Sequence, residues 1–200
     1  MEYLDVYNEN HEMIGTYPRD EVHEKGMWHN TIHCWLYDND GNAYFQVRSD
    51  SNKLYTTASG HVQAGETLKE AFGREVSEEI GIDVLYEKAE LLNVVTWKMD
   101  KEKNGKLIKD RAFANVYLLK LDNTNLKFDF SDHEVCGIAI INANETLEMF
   151  EEKISSVNGT FINNKNEKVE RDFINEDFLL MPGETLIQKY GDILNAIKRK

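Results

Sequence analysis

The chain has 200 residues, 41% of them hydrophobic and 30% charged, which suits one domain with a core of its own. Its formal net charge of −13 excludes the basic face that a nucleic-acid-binding protein needs. The opening MEYLDVYNEN lacks the apolar stretch of a secretory leader, and no apolar run reaches membrane-spanning length. The expected setting is therefore cytoplasmic, with no membrane partner, and Cys34 and Cys136 read as buried free thiols of a reducing compartment.

In chain order, residues 2–18 predict a hairpin turning at the polar Asn8-Glu9-Asn10-His11. Residues 31–37 and 43–48 read as strands around the turn Asp38-Asn39-Asp40-Gly41, followed by a short extended piece at 54–57. From 67 to 80 the period changes. Leu68, Phe72, Val76 and Ile80 recur every four residues, and Gly81 follows where a helix stops. Strands are expected at 91–97, 111–121 and 135–141, with a polar loop over 98–106. Asn144 is expected to cap a helix reaching about residue 153. A polar hairpin over 157–173 and an amphipathic helix over 184–198 complete the chain. The pattern predicts an α/β (α+β) domain: a mixed sheet with helices on its faces.

The segment GHVQAGETLKEAFGREVSEEIGI, residues 60–82, carries the chemistry. A helix turns about 100° per residue, so Glu75, Glu78 and Glu79 share an arc of roughly 100°. Three carboxylates close to a helix C-terminus repel one another and the helix dipole, and no lysine is interleaved among them. A hard divalent cation, Mg²⁺ or Mn²⁺, removes that conflict, and it keeps water and phosphate oxygens in its shell. Such a site can activate water against a diphosphate, with a glutamate accepting the proton. Arg74 is expected to orient Glu75 or Glu66 through a bidentate pair, and Gly60 and Gly65 to allow tight turns that bring main-chain oxygens near the metal.

The spacing of Gly60, Glu66, Arg74, Glu75, Glu78, Glu79 and Gly81 matches the Nudix box at every specified position. The chain therefore resembles the Nudix hydrolases. That likeness implies an α/β/α sandwich: an N-terminal hairpin extension over 1–28, a core over 29–155, and a C-terminal hairpin and helix over 156–200. The stretches GTYPRDEVHEKGMWH, QVRS and SGHVQAGE look like the branch related to type I isopentenyl diphosphate isomerase. By that resemblance His23, His29 and His61 stand where the isomerase has metal-binding histidines, and Arg19, Arg48 and Lys53 where it contacts diphosphate. Ser59 and Ala112 stand in place of the isomerase's catalytic cysteine and glutamate, with Asp110 nearby, so its acid/base pair is missing. Glu134 falls where many Nudix enzymes carry a further acidic group. His61 and the other two histidines are expected either to hold a second metal or phosphate or to serve structural or substrate-lining roles. Trp97, Tyr86 and Phe113 are candidates to stack on a base or an isoprenoid.

The favoured reading is a Mg²⁺-dependent hydrolase of a nucleoside diphosphate-X compound, with Glu75, Glu79 and Arg74 catalytic and Glu75, Glu78, Glu79 and Gly60 at the metal. Its partner is a small anionic diphosphate. The alternatives are an isomerase and a non-catalytic nucleotide-sensing module. The C-terminal extension is expected to cap the cleft, to form a homodimer or to extend the core.

Overall fold

The computed structural model describes residues 1–103, 105–122, 126–130 and 134–200. The N-terminal hairpin is present as β1 (Tyr3–Tyr7) and β2 (Met13–Pro18). A seven-residue helix, α1 (Arg19–Lys25), follows it and was not anticipated. Its signals are local: acidic Asp20 and Glu21 in the first turn, and Gly26 in the left-handed conformation, φ 66°, after the last.

β3 (Trp28–Tyr37) is the hub of the sheet. Its start pairs with β1, its middle with β6 (Ala58–His61), and its end with β4 (Asn42–Arg48). Along its other edge it runs parallel to β8 (Lys106–Lys120), from His29↔Ala112 to Tyr37↔Lys120. The remaining neighbours are antiparallel: β5 (Leu54–Tyr55) on β4, β7 (Glu90–Lys103) on β8, β9 (Val135–Asn142) on β4, then β10 (Val157–Asn163) and β11 (Lys168–Phe173). The sheet is thus mixed, as its composition predicted.

Side-chain alternation along β3 divides the core. Ile32, Cys34 and Leu36 face α2 (Leu68–Ile80), meeting its stripe of Phe72, Val76 and Ile80. Trp35 and Tyr37 face the opposite way. They join Phe45 and Val47 against α3 (Ala143–Phe150) and α4 (Leu186–Lys198). Helices on both sides of one sheet make the sandwich.

Three expectations need correction. Residues 98–103 and Lys106 are strand rather than loop: β7 and β8 stay paired out to Lys103↔Lys106. The polar composition hid a two-residue alternation held by opposite charges, with Asp100 opposite Lys109 and 2.5 Å from Arg111. The cap of α3 is Asn142 rather than Asn144. Its side chain accepts from the backbone N–H groups of Asn144 and Glu145, so the helix starts earlier and ends at Phe150. Of the two thiols, Cys34 is buried and far above its usual pKa through burial, whereas Cys136 is only partly buried.

Candidate active site

Helix α2 is fixed at both ends. Thr67 and Glu70 form a reciprocal cap, the Thr67 side chain accepting from Glu70 N and the Glu70 carboxylate from Thr67 N. At the far end Gly81 has φ 69°, and a Cβ there would lie 2.4 Å from Asp129 Cβ. The helix is thereby held with Glu75 and Glu79 turned inward and Glu78 outward. Glu75 and Glu79 are 7% and 5% exposed as residues, so desolvation governs their ionisation.

Glu79 lies under β6. Its Oε2 accepts from Ser59 N–H and from Gln46 Nε2, both at 3.0 Å. Burial, then the nearby Glu75 carboxylate, pushes Glu79 up to about 8. Burial also raises Glu75, although Arg74 Nη1 donates to its Oε1 at 2.7 Å. The close approach of Gly60 has a strict requirement: a Cβ there would sit 2.1 Å from Glu75 Oε1. Only glycine lets β6 lie this close to the acidic helix.

Arg74 organises the cluster as the spacing predicted. Its Nε and Nη2 donate to the two oxygens of Glu66, at 2.8 and 2.9 Å. Nη1 reaches Glu75 and Glu78, and Nη2 also donates to the His61 carbonyl at 2.9 Å. Glu66 is therefore a fastening for Arg74, and Gly65, at φ 75°, makes the turn before it. Glu75, Glu78 and Glu79 each commit one oxygen to these bonds. The other oxygen of each has no protein partner among the described residues. The three do not converge tightly, because Arg74 draws Glu75 and Glu78 one way while Ser59 and Gln46 draw Glu79 another.

A tighter cluster stands beside it. Ring nitrogens of His23, His29 and His61, from α1, β3 and β6, lie within 4.8 Å of one another. His29 Nδ1 meets the Met27 carbonyl at 3.1 Å, an acceptor, so this nitrogen carries the hydrogen and Nε2 the lone pair. That Nε2 is buried without a hydrogen-bond partner and faces Asp110 Oδ1, also unpartnered, at 3.6 Å. Two acceptors facing each other call for a cation or a proton between them. Burial and mutual repulsion hold His23 and His29 near 4, hence neutral and able to ligate.

A cavity of about 330 Å³ opens next to both clusters, bounded by Arg48, Ser59, Gly60, His61, Lys101 and Asp110 among others. Arg48 lines this cavity, in a bidentate pair with Asp50. Lys101 was missed because the hairpin that carries it was read as a loop. Lys53 is not part of this cavity: its ammonium donates to the Glu176 carbonyl in the C-terminal extension. Nor is Arg19, which pairs with Glu2 at 3.3 Å. Ser59 and Ala112, the positions of the missing isomerase pair, both line it. Glu134 is exposed, yet its charge helps to raise Glu79. Of the three aromatic candidates only Trp97 lines the cavity. Tyr86 packs on Phe72 and Tyr117, and Phe113 stacks between Trp28 and His11.

Comparison with known proteins agrees with this geometry. The NUDIX domain model matches residues 27–162, more than half of the chain. This chain belongs to the Nudix family. An uncharacterised Nudix hydrolase of Clostridium acetobutylicum is 33% identical over 164 residues, covering 78% of this chain and 77% of the relative. A Nudix hydrolase of Deinococcus radiodurans is 26% identical over 141 residues, 68% of this chain and 76% of that one. An isopentenyl-diphosphate Delta-isomerase of Photorhabdus laumondii is 33% identical over only 87 residues, 41% of this chain and 49% of its own. Among solved structures, a Deinococcus radiodurans protein aligns with TM-score 0.54 at 22% identity, covering 76% of this chain and 89% of that one, which supports the Nudix fold.

Proposed function

We propose that this chain is a Mg²⁺-dependent hydrolase that cleaves the diphosphate linkage of a nucleoside diphosphate-X compound, with Mn²⁺ as an alternative ion. The observation that carries the reading is the pair of buried carboxyls, Glu75 and Glu79, held against Gly60 by Arg74, Ser59 and Gln46.

Glu75, Glu78 and Glu79 would hold the cation through their uncommitted oxygens. Bound there, it supplies charge neutralisation at the diphosphate and a water of lowered pKa. The protein's own contributions are positional. Arg74 ties Glu75 and Glu78 to Glu66, which limits the swing of those two ligand side chains. Burial and the Glu75 carboxylate raise the proton affinity of Glu79, so that, ionised beside the cation, it would be a strong enough base to take a proton from the attacking water. Arg48 and Lys101 supply local positive charge in a chain of net charge −13. Ser59 and Ala112 provide no proton-transfer pair for isomerisation of a double bond.

The test is a hydrolysis screen of nucleotide diphosphate compounds with Mg²⁺ and Mn²⁺, run beside Glu79→Gln and Glu75→Gln. Wild type is expected to release a phosphorylated product, and the variants to be slower by about 10²–10⁴. Formation of an allylic diphosphate isomer, or turnover unaffected by both variants, would sink the proposal.

A further inference from the structure

The N-terminal hairpin and α1 precede the residues matched by the family model, which begin at 27. We propose that this hairpin is nonetheless part of the active site, with Asp5 a positioning residue. It fixes the loop that leads into the acidic helix and, through that loop, two of the carboxyls that would hold the metal. This rests on the diphosphate-hydrolase reading above.

The junction joins one short stretch of each partner. Leu4 of β1 forms an antiparallel bridge with Gln63, and the Tyr3 carbonyl accepts from Ala64 N–H at 2.9 Å. Glu2 Oε1 lies 3.4 Å from His61 Nδ1. Asp5 completes the set. Its Oδ2 accepts from Gly65 N–H at 2.9 Å, and its Oδ1 accepts from the Thr16 hydroxyl at 2.6 Å. Thr16 stands directly opposite Asp5 in the β1–β2 ladder, so β2 aims the carboxylate that β1 presents. Each of residues 2–5 thus engages the loop.

The hairpin is a fixed support. Leu4 and Val6 are buried with Val22 of α1 in a small core of their own, with Tyr17 and Met27 packed against it. The loop, by contrast, turns on a glycine. Gly65 sits at φ 75°, a conformation open to glycine because it lacks a side chain, and the same freedom makes this turn the one most in need of an outside tie. A carboxylate accepting from a backbone N–H makes a charge-assisted bond, roughly twice as strong as a neutral one.

What the tie holds is the start of the acidic cluster. Past Gly65 the turn closes on itself, Gln63 N–H donating to Glu66 Oε2 at 2.9 Å and Glu66 N–H to the Gln63 carbonyl at 3.0 Å. Glu66 takes the Arg74 fork, and Arg74 reaches Glu75 and Glu78. Asp5 is therefore two links from two of the three ligand carboxyls. Glu79 is off this route, because Ser59 and Gln46 hold it. Both bonds of Asp5 are solvent-exposed, so removing them leaves no buried group unpaired and the fold should survive.

The experiment uses the full chain. Asp5→Ala removes both bonds. Asp5→Asn keeps an oxygen for Gly65 N–H, and the Thr16 hydroxyl can turn to accept from the amide. Thr16→Val removes only the group that aims Asp5. Deuterium exchange over residues 60–66 is followed by mass spectrometry in metal-free protein. Mn²⁺ binding is followed by electron paramagnetic resonance, the binding lost in Glu79→Gln defining the acidic site. Steady-state kinetics are run at the Mg²⁺ concentration that half-saturates wild type. Asp5→Ala is expected to speed exchange over 60–66 by about tenfold and to leave β3 and β8 as they were. It should weaken Mn²⁺ binding at the acidic site by about tenfold and lower kcat by about fivefold, with KM little changed. Asp5→Asn should recover most of each loss, and Thr16→Val should move all three readouts the same way by less. If Asp5→Ala does not fold, Thr16→Val carries the test. Unchanged exchange and Mn²⁺ binding overturn the proposal, and hydrolysis by wild type then leaves the hydrolase reading standing. Exchange that rises equally in β3 and β8, or an Asn variant as impaired as the Ala variant, overturns it too, since the hairpin would then serve the fold alone. If exchange and Mn²⁺ binding respond as expected while wild type hydrolyses no diphosphate, the positioning role stands and the hydrolase reading fails.

Discussion

The acidic helix and the histidine cluster share one residue and differ in almost everything else. His61 offers its carbonyl to Arg74 and its ring to His23 and His29. On one side, carboxyls from a single helix are held apart, Glu75 and Glu78 by Arg74 and Glu79 by Ser59 and Gln46. On the other, imidazoles from three separate elements converge on one point. Burial acts on both with opposite results. It raises Glu79 to about 8 and lowers His23 and His29 to about 4, so each cluster is pushed toward neutrality. The consequence for a cation differs: the neutral imidazoles offer borderline nitrogen donors as they stand, whereas the hard oxygen donor of Glu79 must first give up its proton.

The largest expected difference between them is catalytic. Glu79→Gln should lower kcat by about 10²–10⁴, whereas His29→Asn assayed with Mg²⁺ should lose less than about tenfold. Equal losses would mean that the clusters work as a single unit. Arg74→Ala should follow in size. It strands buried Glu75 and releases Glu66, so urea unfolding should report a loss of about 3–5 kcal/mol, and an unchanged midpoint would contradict the fastening role. Co²⁺ titration followed by visible absorption sharpens the nitrogen side. Binding should weaken by about 10–100-fold in His29→Asn and survive Glu79→Gln.

The two pKa directions separate the clusters next. The histidines sit below their unfolded value of 6.5, so the unfolded chain binds the extra protons, and stability should fall as pH drops from 6.5 toward 4. Glu79 sits above its unfolded value of 4.5, so the folded chain holds the extra proton, and stability should fall as pH rises from 4.5 to about 8. Each group contributes at most about 1.4 kcal/mol per pH unit. Thermal melts in chelator should show both limbs. Added Mg²⁺ should lift the alkaline limb and leave the acid limb, and a uniform shift would fail the comparison. The smallest effect is Thr67→Ala, which removes the cap of α2 and should cost about 1 kcal/mol in thermal melts.

The same contrast explains how much could be read beforehand. Glu75, Glu78, Glu79 and Arg74 are local in sequence, so helical periodicity alone places them on one side of a helix. The cavity is not local. Lys101 reaches it only because β7 and β8 remain paired beyond the residues whose polarity suggested a loop. Arg48 and Lys53 looked equivalent, yet one lines the cleft and the other turns to the Glu176 carbonyl, a contact 123 residues away. The convergence of Asp110 on His29 likewise follows from the register His29↔Ala112, which no local pattern encodes. Helix α1 is different. Its acidic first turn and Gly26 were there to be read, but seven residues are too few for a periodicity to stand out.

That register also has a consequence in time. The pair His29↔Ala112 joins residues 83 positions apart (112 − 29), and the parallel ladder runs from it to Tyr37↔Lys120. Contacts of such long range form slowly, because a large loop must close before any of them is gained. During synthesis the acidic helix, complete at Ile80, emerges well before β8 can supply the far wall of the cleft. The nascent protein therefore has its ligand carboxylates before it has a binding site, and hydrolytic competence should be one of the last properties it acquires as it folds.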